Sequence, residues 1–275
     1  MGTDADLSCA TPSLVADGAM LDALCRIAEA AGHAIMSVYA GDVTAWQKAD
    51  ASPLTEADLR ADDVIRRGLE QAFPGVHILS EESASADDGG GAPDQFFLVD
   101  PLDGTKEFLK RNGEFTVNIA FVERGAPVAG VVFAPALDEL FFAARGAGAL
   151  RRVAGTTTAI QVDATPSGAP LRVVASRSHA DAALTAWLAS AAGAHTLVSV
   201  GSSLKFCRVA EGRADVYPRF GPTSQWDTAA AQAVLEVAGG VVLDLGGSPL
   251  RYGLDCPILN PAFMAAATPA LASLR

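Results

Sequence analysis

The sequence predicts an α+β half followed by an α/β half, and three observations carry the prediction. Apolar positions in the first third follow helical spacing. Residues 76–144 hold short apolar or alternating runs that read as strands. After residue 170 strand and helix signals take turns. Half of the 275 residues are hydrophobic and 19% are charged, which excludes low-complexity disorder for most of the chain.

The elements follow in order. Residues 1–17 read as a flexible tail, 18–160 as the α+β half and 161–275 as the α/β half. From Met20 the spacing of Leu24, Ile27, Ala31, Ile35 and Val38 predicts a helix that Gly41 stops. A second helix opens at Thr55, runs through Ala61, Ile65 and Leu69, and ends at Phe73 before Pro74. Residues 76–79 and 96–100 read as buried strands, with a mobile Ser-, Asp- and Gly-rich loop at 84–93 between them. Phe115, Val117, Ile119 and Phe121 alternate with smaller or polar residues, a strand with one apolar face; 128–133 and 140–144 continue as antiparallel neighbours. Residues 154–170, rich in Thr, Gly and Pro, mark the boundary between the halves. Beyond it, 171–176, 196–200 and 214–218 read as strands, and 180–192, 203–211 and 227–238 as helices.

Twenty basic against 32 acidic residues leave a net charge of −12. That argues against nucleic-acid binding, which needs clustered cations. It leaves room for a small phosphorylated substrate in a locally basic pocket. The four cysteines show no CxxC spacing, so neither a zinc site nor a disulfide framework is expected. No uncharged run reaches the ~18–20 residues of a transmembrane segment. The first 17 residues carry three acids and no base, and Asp6 stands where a myristoylation motif needs Ser or Thr. A cytoplasmic protein is expected.

The segment Asp100-Pro101-Leu102-Asp103-Gly104-Thr105 carries the most chemistry. It follows an apolar strand, so both carboxylates are expected in a tight turn at the strand's end, where they can converge. The bland alternative is a capped turn with solvated acids. Glu81-Glu82 ends the preceding apolar run. If the two strands are neighbours, four carboxylates meet in one cleft, and like charges at ~4–5 Å repel by several kcal/mol at an effective dielectric of ~20. An all-oxygen, carboxylate-rich site suits Mg²⁺ better than zinc. Asp227, in Trp226-Asp-Thr-Ala-Ala230, has spacing that favours a helix N-cap, and Thr55-x-x-Asp58 fits a capping box.

Ser80-Glu-Glu82, Asp100-Pro-Leu-Asp-Gly-Thr105 and Trp226-Asp-Thr-Ala-Ala230 together resemble the inositol monophosphatase superfamily of Mg²⁺-dependent, lithium-sensitive phosphatases. Further segments are similar to its bisphosphate-nucleotidase branch: Lys48-Ala-Asp50, Ser52-Pro-Leu-Thr55, Lys106-Glu-Phe108, Arg111 to Ile119, Ser176-Arg-Ser-His-Ala-Asp181, Gly201 to Cys207 and Tyr217 to Thr223. The resemblance runs from about Met20 to Pro261. Its departures are the acidic N-terminal extension and Ala231 where Gly is expected.

The resemblance implies a layered αβαβα sandwich of the sugar-phosphatase type with the site between its halves. It implies Glu81, Asp100, the Leu102 carbonyl, Asp103 and Asp227 as ligands of two or three Mg²⁺ ions, with Glu82 behind them. Thr105 and Asp58 are implied to activate water. Substrate contacts fall to Glu81, Leu102, Asp103, Gly104, Thr105, His179, Ser202, Lys205, Arg219 and Asp227. The implied reaction converts 3′-phosphoadenosine 5′-phosphate (PAP) to AMP and phosphate, serving PAP recycling in sulfur metabolism. The corresponding 5′-phosphosulfate (PAPS) is a second candidate substrate, and peripheral attachment to the cytoplasmic face of the inner membrane is an alternative placement. The rivals are an inositol or other sugar monophosphatase and a non-catalytic nucleotide-binding protein. Weighed without the resemblance, Lys205 also fits a solvated helix residue, Arg219 an edge-strand gatekeeper and His179 a helix cap.

Overall fold

The structure, a computed structural model, describes residues 14–41, 45–47, 53–83, 93–166, 168–177, 182–190 and 193–274. Residues 84–92 of the loop expected over 84–93, most of the N-terminal tail and His179 lie outside them. The end of the tail is docked, not frayed. The Leu14 backbone exchanges two 2.9 Å hydrogen bonds with the Gln95 amide, and Asp17 caps the first helix by accepting from the Met20 N–H.

Three short pieces precede the main sheet: helix α1 (Gly18–Tyr39), the antiparallel pair β1 (Ala45–Gln47) and β2 (Pro53–Thr55), and helix α2 (Glu56–Ala72). The main sheet has seven strands in sequence order: β3 (His77–Ser80), β4 (Gln95–Asp103), β5 (Thr116–Glu123), β6 (Ala126–Ala134), β7 (Glu139–Ala144), β8 (Gly148–Val153) and β9 (Thr156–Ala159). Only β3 and β4 pair in parallel; the rest is an antiparallel meander. The short helix α3 (Thr105–Leu109) interrupts it after β4. Strands β8 and β9 extend the sheet into the stretch expected as a boundary. Their polar sequence hides them, because Arg151 and Arg152 spend their charge on Glu139 and Glu29.

The second sheet is built from β10 (Leu171–Ser176), β11 (His195–Val200), β12 (Val216–Arg219), β13 (Val241–Asp244) and β14 (Phe263–Ala266), in the order β11-β10-β12-β14-β13. Its first three strands are parallel and the last two antiparallel. Helices α4 (Ala182–Ser190), α5 (Leu204–Ala210), α6 (Ala229–Val237) and α7 (Pro269–Ala272) belong to this half of the chain.

Three apolar cores separate five layers. One joins α1 and α2 to the first sheet. The next fills the space between the two sheets, where α5 and α6 lie. The third joins the second sheet to α4 and α7. This is the expected layered sandwich. Helix α6 comes so close to β6 that a Cβ at Gly130 would stand 2.2 Å from the Ala230 carbonyl oxygen, so only glycine fits there. Among the described residues, no helix is long and apolar enough to cross a membrane.

Candidate active site

The acids at residues 100 and 103 sit in a bulged strand end, not in the expected turn. Strand β4 continues through Asp103, pairing Asp100 with Asn118 and Asp103 with Thr116. Three steps along β4 therefore oppose two along β5. Pro101, with no N–H to give, lies within this bulge. In a regular strand, residues three apart point to opposite faces. The extra residue restores the period, so both carboxylates turn to one side. The Leu102 N–H folds back onto Asp100 Oδ1 at 3.0 Å, and Gly104, at φ 93°, turns the chain into α3.

The adjacency required of Glu81 holds. Strands β3 and β4 are parallel, and the Glu81 N–H donates to the Val99 carbonyl at 3.1 Å, which sets Glu81 beside Asp100. Glu82 follows, half-buried, in the turn after β3. Asp227 is not the cap of α6; Thr228 takes that place. Asp227 Oδ2 instead accepts from the Ser224 N–H at 2.8 Å, and the side chain faces the other acids.

Burial pushes the Asp100 carboxyl well above the usual carboxylate range, and Glu81, Asp103 and Asp227 push it further. Burial raises Asp103 to about 6, against the opposing pull of Lys205 and the Ser203 N–H. Asp227 rises to about 8 from burial and the charge of Asp103. The donor set of four carboxylates and the Leu102 carbonyl is all oxygen, and it carries more negative charge than its burial tolerates without protons or a cation. That chemistry fits a hard divalent cation. Among the described residues, no three acid, His or Cys side chains already stand close enough together to hold a metal ion.

Asp58 makes the expected capping box and also faces Thr105. Its Oδ2 accepts from the Thr55 N–H at 2.8 Å and the Thr55 hydroxyl at 2.6 Å, completing a capping box on α2. Its Oδ1 faces the Thr105 hydroxyl at 3.4 Å. The cap and the contact to Thr105 use the two oxygens of one buried carboxylate.

Asp103, Gly104, Thr105 and Asp227 line a cleft of about 380 Å³, opposite Ser202, Lys205 and Arg219. Lys205 is buried at 6% exposure, not solvated. Burial lowers its ammonium to about 8, against the support of Asp103. It donates to the carbonyl oxygen of Ser202 and lies 5.3 Å from the Tyr217 ring centroid. Arg219 ends β12, whose neighbours are β10 and β14, so it is no edge-strand residue. One guanidinium nitrogen donates to the Pro222 carbonyl at 2.8 Å, while its buried Nε has no partner among the described residues. Lys106, Glu107 and Tyr217 also line the cleft. Sequence reasoning gave these three no role, although Lys106 and Glu107 directly follow Thr105 and Tyr217 stands two residues before Arg219.

The model of the inositol monophosphatase family matches residues 18–274. The 3′(2′),5′-bisphosphate nucleotidase CysQ of Escherichia coli (strain K12) is 51% identical over 247 residues, covering 89% of this chain and 98% of that protein. The protein of the same name from Buchnera aphidicola is 41% identical over 90% of this chain and 94% of its own. Among solved structures, CysQ from Bacteroides thetaiotaomicron superposes with a TM-score of 0.77 at 39% identity, covering 90% of this chain and 97% of that one. An inositol monophosphatase from Anabaena reaches 0.73 at 27% identity, with 92% of each chain covered. A match spanning both sheets and every acid of the cleft places this chain in the inositol monophosphatase family.

Proposed function

We propose that the chain is a Mg²⁺-dependent 3′(2′),5′-bisphosphate nucleotidase that hydrolyses the 3′-phosphate of PAP to give AMP and phosphate. The observation that carries this reading is the pairing of two opposite environments across one cleft. One wall holds Asp103 and Asp227, whose carboxyls are pushed up chiefly by burial, with the buried Asp100 behind them. The other holds a buried lysine and an arginine whose buried Nε has no partner among the described residues. A substrate with two phosphates meets both requirements, and the 51% identity to a named bisphosphate nucleotidase points the same way.

Glu81, Asp100, the Leu102 carbonyl, Asp103 and Asp227 would hold the cations. When bound, these supply the positive charge that lets a phosphate approach the acid cluster and that stabilises the departing oxygen. The remaining work falls to the chain. Thr105 Oγ1 donates to Asp58 Oδ1, which leaves a lone pair facing the cleft and able to orient a water. As that water bonds to phosphorus, its proton passes to Thr105 Oγ1 and the threonine proton moves to Asp58 Oδ1. The bond from phosphorus to the ribose 3′ oxygen breaks, and that oxygen leaves with the electron pair and takes a proton from solvent. The 3.4 Å separation is loose, as such contacts are before substrate closes them. Arg219 offers a fork to phosphate oxygens, and Lys205 a point charge. His179, outside the described residues, is assigned to the same pocket by its motif.

The test measures phosphate release from PAP, PAPS and inositol 1-phosphate, each with Mg²⁺ and with the metal removed by chelation. Mg²⁺-dependent turnover that favours PAP is expected. A preference for inositol 1-phosphate would move the chain to the sugar-phosphatase reading, and AMP or PAP binding with no turnover would make it a binding protein.

A further inference from the structure

We infer that Glu114 and Arg177 form a positioning clamp that holds the turn Gly201-Ser202-Ser203 in its nucleotide-binding shape, setting affinity for the bisphosphate without touching it. The inference deepens the nucleotidase reading and rests on it. Glu114 lies just before β5, Arg177 just after β10, and the turn follows β11. One carboxylate joins all three. Glu114 Oε1 and Oε2 accept from the Arg177 guanidinium, each at 2.8 Å, and Oε2 also accepts the Gly201 N–H at 2.8 Å. The same guanidinium donates to the Ser199 carbonyl at 2.7 Å. Fit as well as charge sets the contact: a Cβ at Gly201 would stand 2.6 Å from the Glu114 carbonyl oxygen.

The turn needs holding. Ser202 has φ 47°, the left-handed region that costs a non-glycine residue energy and persists where surrounding structure enforces it. It is nine-tenths buried, it lines the cleft, and its hydroxyl has no partner among the described residues. The strained residue is fixed on both sides by carboxylates, Glu114 at Gly201 and Asp103 at the Ser203 N–H, 2.6 Å away. Its carbonyl in turn receives Lys205. Releasing Gly201 therefore frees the Ser202 hydroxyl and the carbonyl that aims Lys205, while Asp103 keeps its own bond to Ser203. Arg177 has a second effect. Glu114 stands within electrostatic range of Lys205, and the bidentate fork of Arg177 takes up the Glu114 charge that would otherwise oppose an incoming phosphate.

The experiment compares R177M, E114A and the double variant with the unaltered enzyme, reading KM and kcat for PAP, the dissociation constant of AMP by calorimetry, and Tm. Each single variant is expected to raise KM and the AMP dissociation constant about tenfold, the effect of one charge-assisted contact, with kcat changed less than about threefold. The double variant should match E114A, because both residues act through one carboxylate. Multiplication of the two effects, an equal loss in kcat, or unchanged AMP affinity would overturn the clamp. Arg177 is half exposed, so R177M tests the idea even if E114A fails to fold. Absence of PAP turnover in the unaltered enzyme would sink the nucleotidase reading and the clamp with it. Normal turnover beside unmoved variants would sink the clamp alone.

Discussion

Asp58→Asn separates the two tasks proposed for one carboxylate. In the folded chain Oδ2 takes both Thr55 donors and Oδ1 faces Thr105. An asparagine keeps an oxygen for the Thr55 N–H, so most of the cap survives. What is lost is the charge, worth about 0.3–1 kcal/mol at a helix N-terminus, and part of a cap worth about 1 kcal/mol. At roughly 2–4 °C per kcal/mol for a chain of this size, Tm should fall by no more than about 8 °C. The amide group turned to Thr105 donates where the carboxylate accepted, so the threonine proton has no base to reach. Losing a general base costs about 10²–10⁴ in rate, or ~3–5 kcal/mol. The assay is kcat at saturating PAP and Mg²⁺ beside a thermal melt. Thr105→Val should cost a similar factor, and the double variant no more than the worse single, since a relay is broken once. A variant that keeps more than about a third of kcat while Tm falls would leave Asp58 as a cap alone.

Asp100→Asn removes one charge from a cluster that already disfavours it, so Tm of the chelated protein should hold or rise. Turnover and the thermal upshift given by Mg²⁺ should both be lost, and retention of more than about a tenth of kcat, a loss below ~1.4 kcal/mol, would refute the ligand role. Arg219→Ala and Lys205→Ala should each lower kcat/KM for PAP by about 10- to 150-fold, the value of a charge-assisted contact. Turnover of inositol 1-phosphate should fall far less, and equal losses on both would mean that the two residues serve the fold. Asp215 tests the scaffold: burial pushes its carboxyl up, but bonds from Arg172 and Thr165 win and hold it below the usual range. Its stabilisation is therefore present above the ordinary carboxylate pKa of about 3.9 and lost as pH falls through the lower folded value. Asp215→Asn should cost about 1.5–3 kcal/mol at neutral pH, the value of hydrogen bonds to a charged group, with the Tm gap closing below about pH 4; a gap constant from pH 3 to 8 would contradict the pairing.

Glu81, Glu82, Asp100 and Asp103 were legible in the sequence because residues that are costly to bury stand at the ends of apolar runs, and no core packing needs them there; Asp58 and Asp227 read as caps, and only the family resemblance singled them out. What brings the acids together was not legible. The bulge at Pro101-Leu102 is a matter of register between β4 and β5, and a single strand carries no record of its partner's count. That Asp227 does not cap α6 was hidden because Asp caps well; its carboxylate instead takes the Ser224 N–H three residues back, and Thr228 stands at the cap position without a side-chain bond to the helix. Lys205 and Arg219 stayed ambiguous for a related reason: a cation's burial depends on what lies across from it, and the acids that support it are a hundred residues away in Asp103 or on another element in Asp227. The two walls of the cleft therefore stabilise one another. The ammonium of Lys205 lowers the cost of ionising Asp103, and Asp103 keeps Lys205 charged against its burial. Asp227 adds a negative charge from the half that carries Lys205 and Arg219, and Asp103 adds one from the other half, so the site falls where the acids of both halves meet the two cations.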